Sequence, residues 1–172
     1  EDTDNDTLLD GVETNDGIYL NDTMTGTNPL RVDSDGDTLN DNVENNSGTF
    51  VDETKTGTNP NKADTDGDDL TDDWEITNAL DPFDDGSTDP KNGSAGDPDT
   101  DDSDNAEDQT RGTDPQVGDT DGDNLLDGVE TGDGNYVDEN ATGTNPLNPD
   151  TDGDSLQDDI ENNNGTFVSA AN

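Results

Sequence analysis

The sequence predicts a loop-rich tandem-repeat array, solenoid-like or rod-like. It would be built from short one-to-two-turn helices and short strands, with little regular secondary structure and no conventional hydrophobic core. Three observations lead to this reading. Only 21% of the 172 residues are hydrophobic, and the formal net charge is −43. A twelve-residue acidic window recurs five times in one register, starting at Asp2, Asp33, Asp64, Asp119 and Asp150. Between windows the chain returns to Gly-Thr-Asn-Pro or Gly-Thr-Asp-Pro. So polar a chain cannot bury enough apolar surface to offset its conformational entropy. Whatever orders it must also neutralise its charge.

The window is clearest at 119–130. Carboxylates stand at positions 1, 3, 5, 9 and 12, as Asp119, Asp121, Asp123, Asp127 and Glu130. That is the ligand spacing of an EF-hand-type calcium loop. Alternate residues on a curved backbone point their oxygens at one centre, and position 7 needs only a backbone carbonyl. A long Glu at position 12 closes the sphere with two oxygens. The other windows are Asp2, Asp4, Asp6, Asp10, Glu13; Asp33, Asp35, Asp37, Asp41, Glu44; Asp64, Asp66, Asp68, Asp72, Glu75; and Asp150, Asp152, Asp154, Asp158, Glu161. Position 7 is always Leu (Leu8, Leu39, Leu70, Leu125, Leu156), and position 11 is always apolar (Val12, Val43, Trp74, Val129, Ile160). A solvated acidic surface would explain the composition but not this register. Hard oxygen ligands suit Ca²⁺, so the predicted array is calcium-stapled, with five or more ions. Position 9 reaches the ion through water or bridges a second ion.

Repeats one and two span 2–32 and 33–63. After each loop come a turn with Gly17 or Gly48, a β-prone pair (Tyr19-Leu20, Phe50-Val51) and Thr-Gly-Thr-Asn-Pro. Such turns predict short strands. The i, i+4 spacing of positions 7 and 11 predicts a short helix from about position 6 to 13 of each loop. The aromatics are expected to pack between repeats, or else to offer a sugar-stacking platform. Asn in Gly-Thr-Asn-Pro either makes an Asx turn or lends its oxygen to the next ion. Repeat three, 64–118, is longer. Leu70/Trp74 and Ile76/Leu80 extend its helical pattern up to Asp81-Pro82, and Trp74 reads as a packing plug rather than a ligand-binding residue. An acidic insertion follows, holding a degenerate sixth window at 97–108 with Asp97, Asp99, Asp101, Asn105 and Asp108, and Ser103 in place of Leu. Repeat four (119–149) resumes the shorter form, and the fifth (150–172) stops before its Gly-Thr-Asn-Pro. Leu8-Leu9-Asp10-Gly11-Val12-Glu13 recurs at 125–130, and Gly48-Thr49-Phe50-Val51 at 165–168. These longer echoes predict a piece of a longer tandem array.

Composition excludes several chemistries. There is no Cys and no His, which removes zinc, iron–sulfur and thiol sites. Five basic residues cannot neutralise a nucleic-acid backbone, and no apolar run is long enough to span a membrane. No nucleophile–base set suggests an enzyme.

Residues such as Gly143-Thr144-Asn145-Pro146 followed by Asp150-Thr151-Asp152-Gly153-Asp154, with Gly36, Gly67 and Gly122 at the same fourth position, resemble the bacterial and archaeal form of thrombospondin type 3 repeats. The resemblance covers essentially the whole chain. It implies an extracellular or cell-surface, calcium-stiffened spacer of a surface protein, stalk or filament, in which loop carboxylates can share a second ion. Neighbouring repeats of the same or identical chains would be its partners. An adhesion or docking module for a protein or glycan, and a calcium reservoir, are the alternatives. The chain departs from the family pattern at position 6, where Thr7, Thr38, Asp69, Asn124 and Ser155 replace Gly, and at Asn5. Sequons at Asn5, Asn21, Asn45, Asn92, Asn140 and Asn164 are candidate glycosylation sites.

Overall fold

Each acidic loop is wound by its own side chains. In the computed structural model, which describes residues 1–161, the position-1 aspartate accepts a hydrogen bond from the backbone N–H of position 4 in all six loops. In every loop but the first, its second oxygen takes the N–H of position 6. The position-5 aspartate receives the N–H of residue 7 in all six. Wrapping backbone this tightly around an anion forces position 6 to positive φ, from 74° to 84°, whether Thr, Asp, Asn or Ser stands there.

That winding moves the helices. They begin at position 9, not at position 6 as the apolar spacing suggests, because position 8 is extended before each of them (Thr71, Asp104, Leu126 and Gln157). Helix α1 is Asp72–Thr77 and α2 is Asn105–Arg111. Loops four and five make only single 3₁₀ turns, Asp127–Val129 and Asp158–Ile160. The first two loops close with hydrogen-bonded turns, Val12 N–H to Leu9 and Val43 N–H to Asn40. Helix α2 is capped by Asp104, which accepts from Glu107 N–H, and ends at Gly112 in the left-handed region.

Between loops the chain makes a narrow excursion. Its base is pinned by Gly17 N–H to Gly26 O, repeated as Gly48 to Gly57 and Gly134 to Gly143. At its tip the expected strands shrink to isolated bridges, Asn21–Met24, Asp52–Lys55 and Asp138–Ala141. Gly57 cannot be replaced here: φ is +82° and a Cβ would lie 2.3 Å from the carbonyl oxygen of Thr49. Asn28, Asn59 and Asn145 make Asx turns, each side-chain oxygen taking the N–H two residues on.

The chain forms two compact units, Glu1–Ser94 and a second beginning at Ala95. In both, the interior is polar. Among the described residues only Leu70 and Leu80 are buried hydrophobics, while aspartates, glutamates and threonines fill the buried positions. Leu8, Leu39, Leu125 and Leu156 are half-buried, as is Trp74. The aromatics expected to pack between repeats, Tyr19, Phe50 and Tyr136, are not buried. Phe50 is 44% exposed and Tyr136 43%, and Tyr19 turns its hydroxyl to Asp22 at 2.6 Å. Phe50 borders an open groove with Ile76, Leu80 and Phe83. Short, polar repeats leave no inward face deep enough for a ring. The fifth repeat beyond 161, with Asn164 and Phe167-Val168, lies outside the described residues. No described helix is long and apolar enough to cross a membrane.

Hydrogen bonds tie each 31-residue repeat to the next, from position 6 of one loop to position 10 of the following one. Asn42 Nδ2 donates to Thr7 Oγ1 (3.1 Å), Thr38 Oγ1 to Asp73 Oδ2 (2.7 Å) and Asn124 Nδ2 to Asp159 Oδ2 (3.1 Å). Glycine could not make these bonds, which accounts for Thr and Asn at that strained position.

Candidate metal centres

The loop winding gathers Asp2, Asp4 and Asp6, then Asp33, Asp35 and Asp37, then Asp64, Asp66 and Asp68, each trio offering carboxylate oxygens within 4.8 Å of one another. Position 12 turns inward from the following helix or turn, so Glu13, Glu44, Glu75 and Glu130 are buried. Many of these oxygens have no protein donor: Asp4 Oδ2, Asp6 Oδ2 and Glu13 Oε2 in the first loop; Asp35 Oδ2, Asp37 Oδ2 and Glu44 Oε2 in the second; both oxygens of Asp66 and of Glu75 in the third; and Asp121 Oδ2, Asp123 Oδ2 and both oxygens of Glu130 in the fourth. A buried carboxylate without a partner is strongly unfavourable. Its recurrence at positions 3, 5 and 12 fits a hard cation. Leu8, Leu39, Leu70, Leu125 and Leu156 are held at the loop by their N–H bonds to position 5.

The degenerate loop is built the same way. Asp97, Asp99 and Asp101 occupy positions 1, 3 and 5, Asp99 Oδ1 is buried without a partner, and Asp101 and Asp108 are buried. In the last loop Asp150 and Glu161 are half-buried and Asp152 and Asp154 are exposed, so that site is the most open.

Position 9 has a role the spacing does not reveal. In each regular loop it accepts both the backbone N–H and the side-chain hydroxyl of position 2. Asp41 takes Ser34 N at 2.8 Å and Ser34 Oγ at 2.7 Å. Asp10 does the same with Thr3, Asp72 with Thr65, Asp127 with Thr120 and Asp158 with Thr151. These aspartates brace the loop, each oxygen keeping a further lone pair.

The Gly-Thr segment between loops is also site machinery, a role the loop spacing does not reveal. Thr27 and Thr58 donate to Glu13 Oε1 (3.2 Å) and Glu44 Oε1 (2.9 Å), and Thr113 donates to Asp108 Oδ1 (2.8 Å). Thr25 and Thr56 pair with Thr27 and Thr58 at 2.7 Å. A signal was present: a hydroxyl stands at position 2 of all five regular loops (Pro98 takes that place in the degenerate one), and Thr stands fourteen residues after each of Glu13, Glu44 and Glu130.

Charge crowding is severe without cations. Burial, reinforced by neighbouring carboxylates, pushes Glu44 and Glu75 up to about 10 and Glu130 up to about 8. Asp37 rises to about 8, chiefly by burial, and Glu13 to about 7. Asp84, in the insertion, shows the opposite. It accepts from Thr88 N–H, Asp89 N–H and Asn92 Nδ2, and these donors lower its pKa. A buried aspartate in this chain is therefore either satisfied by protein donors or left with oxygens aimed at a loop centre.

Among the sequon residues, Asn5, Asn21 and Asn140 are exposed and Asn45 is half-buried. The Asn92 amide is engaged by Asp84. No protein-family model, curated protein or solved structure matches the chain.

Proposed function

We propose that the chain is an extracellular calcium-binding structural module: a solenoid-like repeat array that calcium stiffens into a spacer of a surface protein, stalk or filament. One observation carries this reading. Buried carboxylate oxygens without partners recur in the same register at loop after loop, and a divalent cation satisfies them while reducing the net charge of −43. Calcium is the fitting ion because the ligands are all hard oxygens on a twelve-residue loop. Millimolar external calcium suits modules with dissociation constants of roughly 10⁻⁴–10⁻³ M. Catalysis has no support, since carboxylates saturated by a cation are poor general acids.

Small-angle scattering in millimolar calcium and then in excess chelator tests the proposal. A stiff, extended particle that becomes a flexible coil on chelation is expected. An unchanged profile would reduce the carboxylates to surface charge. A second reading, docking of a protein or glycan, is favoured by the exposed ring of Phe50 beside Ile76, Leu80 and Phe83. Phe50→Ala would then abolish capture of a glycan panel while leaving calcium binding unchanged.

A further inference from the structure

Resting on the docking reading, we propose that the groove between the second excursion and the end of helix α1 receives a polypeptide segment with an apolar anchor flanked by lysine or arginine. The groove holds about 560 Å³, within the roughly 300–1,000 Å³ of ligand clefts. Phe50 stands on the excursion side, and Ile76, Ala79, Leu80, Pro82 and Phe83 stand on the helix side. The helix side comes from the extended apolar pattern of repeat three. After loops one, two and four the chain carries only polar residues and glycine at this place, as in Thr14-Asn15-Asp16-Gly17. The pocket beside Tyr136, the matching ring of repeat four, is lined instead by glycines, threonines, Asp152, Asp158 and Glu161.

Both sides of the groove depart from the local rule in a ligand's favour. Helix α1 ends in a Schellman motif, with Leu80 N–H on Glu75 O (2.8 Å) and Ala79 N–H on Ile76 O (3.3 Å). Glycine is the usual residue at the place of Ala79. Alanine holds φ +59° there, a strained conformation for any side chain, and it is exposed on the groove. The strain retains a methyl group that the free protein does not bury. On the excursion side, the N–H groups of Ile18 and Asn135 are accepted by aspartates two residues back, Asp16 (3.0 Å) and Asp133 (2.8 Å). Ser47 stands at that place in the second excursion and donates its hydroxyl to Thr49 O (3.4 Å). The N–H of Thr49, which borders the groove, has no acceptor among the described residues and is open to a peptide carbonyl.

Charge selects the occupant. Asp81 borders the groove, Asp52 and Glu53 follow Phe50, and all three are exposed. Lys55 is the one basic residue on that excursion. A second copy of a chain with net charge −43 is repelled. A glycan finds few hydrogen-bonding groups on aliphatic walls. A basic segment is steered in by the acidic rim and seats its apolar side chain between Phe50 and the helix end.

Fluorescence polarisation tests this on the whole chain in millimolar calcium and about 0.15 M NaCl, where diffuse attraction is screened. The probe is the labelled, end-blocked peptide Lys-Lys-Phe-Leu-Lys-Lys, and saturable binding is expected. Ser-Ser in place of Phe-Leu in the peptide should weaken binding roughly tenfold or more, and so should Phe50→Ala in the protein. Tyr136→Ala should leave it unchanged. Ala79→Gly should weaken it about fourfold, the effect of one buried methyl group. No binding, equal affinity for the Ser-Ser peptide, equal effects of the two ring variants, or an Ala79→Gly chain that binds no more weakly overturns the proposal. A glycan panel separates the readings. Glycan capture that needs Phe50, without peptide binding, overturns the basic partner and leaves docking standing; capture of neither removes both. If Phe50→Ala does not fold, the two peptides on the wild-type chain still decide.

Discussion

Thr58→Val puts the polar interior to a direct test. Thr58 is fully buried and donates to Glu44 Oε1 at 2.9 Å, while Glu44 itself is only 3% exposed. Thr56 and Thr58 are 2.7 Å apart, and Thr56 also reaches Val43 O at 3.3 Å. Two hydroxyl protons serve these three contacts. Thr56 therefore donates to Thr58, and Thr58 donates to the carboxylate, each bond polarising the next. Valine keeps the shape and deletes the donor. Thr56 then falls back on Val43 O, and Glu44 keeps its charge with one donor fewer. A hydrogen bond to a charged group is worth about 1.5–3 kcal/mol, so the calcium midpoint should rise roughly tenfold to a hundredfold. Thr58→Ser should recover most of the loss. Trp74 is the one tryptophan, half-buried two residues from Asp72, so its fluorescence can follow the titration. A Thr58→Val midpoint equal to wild type, or a Thr58→Ser loss as large as that of valine, would refute the relay.

Ser155 sits at φ +80° with no next loop to bond among the described residues. Ser155→Gly should therefore raise the thermal midpoint in calcium, by relieving about 1–2 kcal/mol of left-handed strain less the entropy cost of glycine; a lower midpoint would contradict the strain. The pH dependence of the chelated protein follows from carboxyls raised on folding. Glu44 rises from 4.5 to about 10 and Glu130 from 4.5 to about 8, so protonation stabilises the metal-free fold fully below about pH 4.5 and this is lost as pH rises through 8 to 10. Circular dichroism in chelator should show order in acid that fades towards alkali, while calcium affinity rises over the same range as protons stop competing; a flat profile would be inconsistent with the crowding. Asp84→Asn loses an acceptor that serves three donors and should cost about 1.5–3 kcal/mol in chemical denaturation. The number of bound calcium ions should stay the same, and a change would tie the insertion to the metal sites.

The acidic loops were legible because ligand geometry on a short curved segment leaves a fixed spacing, and Asp33, Asp35, Asp37 and Glu44 display it openly. Helix onset was not. The 7-to-11 spacing of Leu39 and Val43 matches a helical face, but the pull of the position-1 and position-5 carboxylates on backbone N–H groups outweighs it and holds the first eight residues in a coil. The braces and relays act across seven and fourteen residues, as in Ser34 to Asp41 and Glu44 to Thr58. Neither helix nor strand has those periods, so no periodicity search responds to them. Position 6 looked like a departure from a glycine rule. The side chains of Thr38 and Asn124 show a residue kept for its reach to the next repeat despite its backbone strain.

The excursion between loops is sealed at its base by the paired glycines, Gly17 with Gly26 and Gly48 with Gly57, so its tip is insulated from the acidic-loop end of the repeat. Lengthening the turn at Asp22-Thr23 or Glu53-Thr54, or hanging a sugar on Asn21 or Asn140, alters nothing below the seal. Such tips are natural grafting points. Peptide cargo could be displayed at each of the three described tips, with the loops below indifferent to what is displayed.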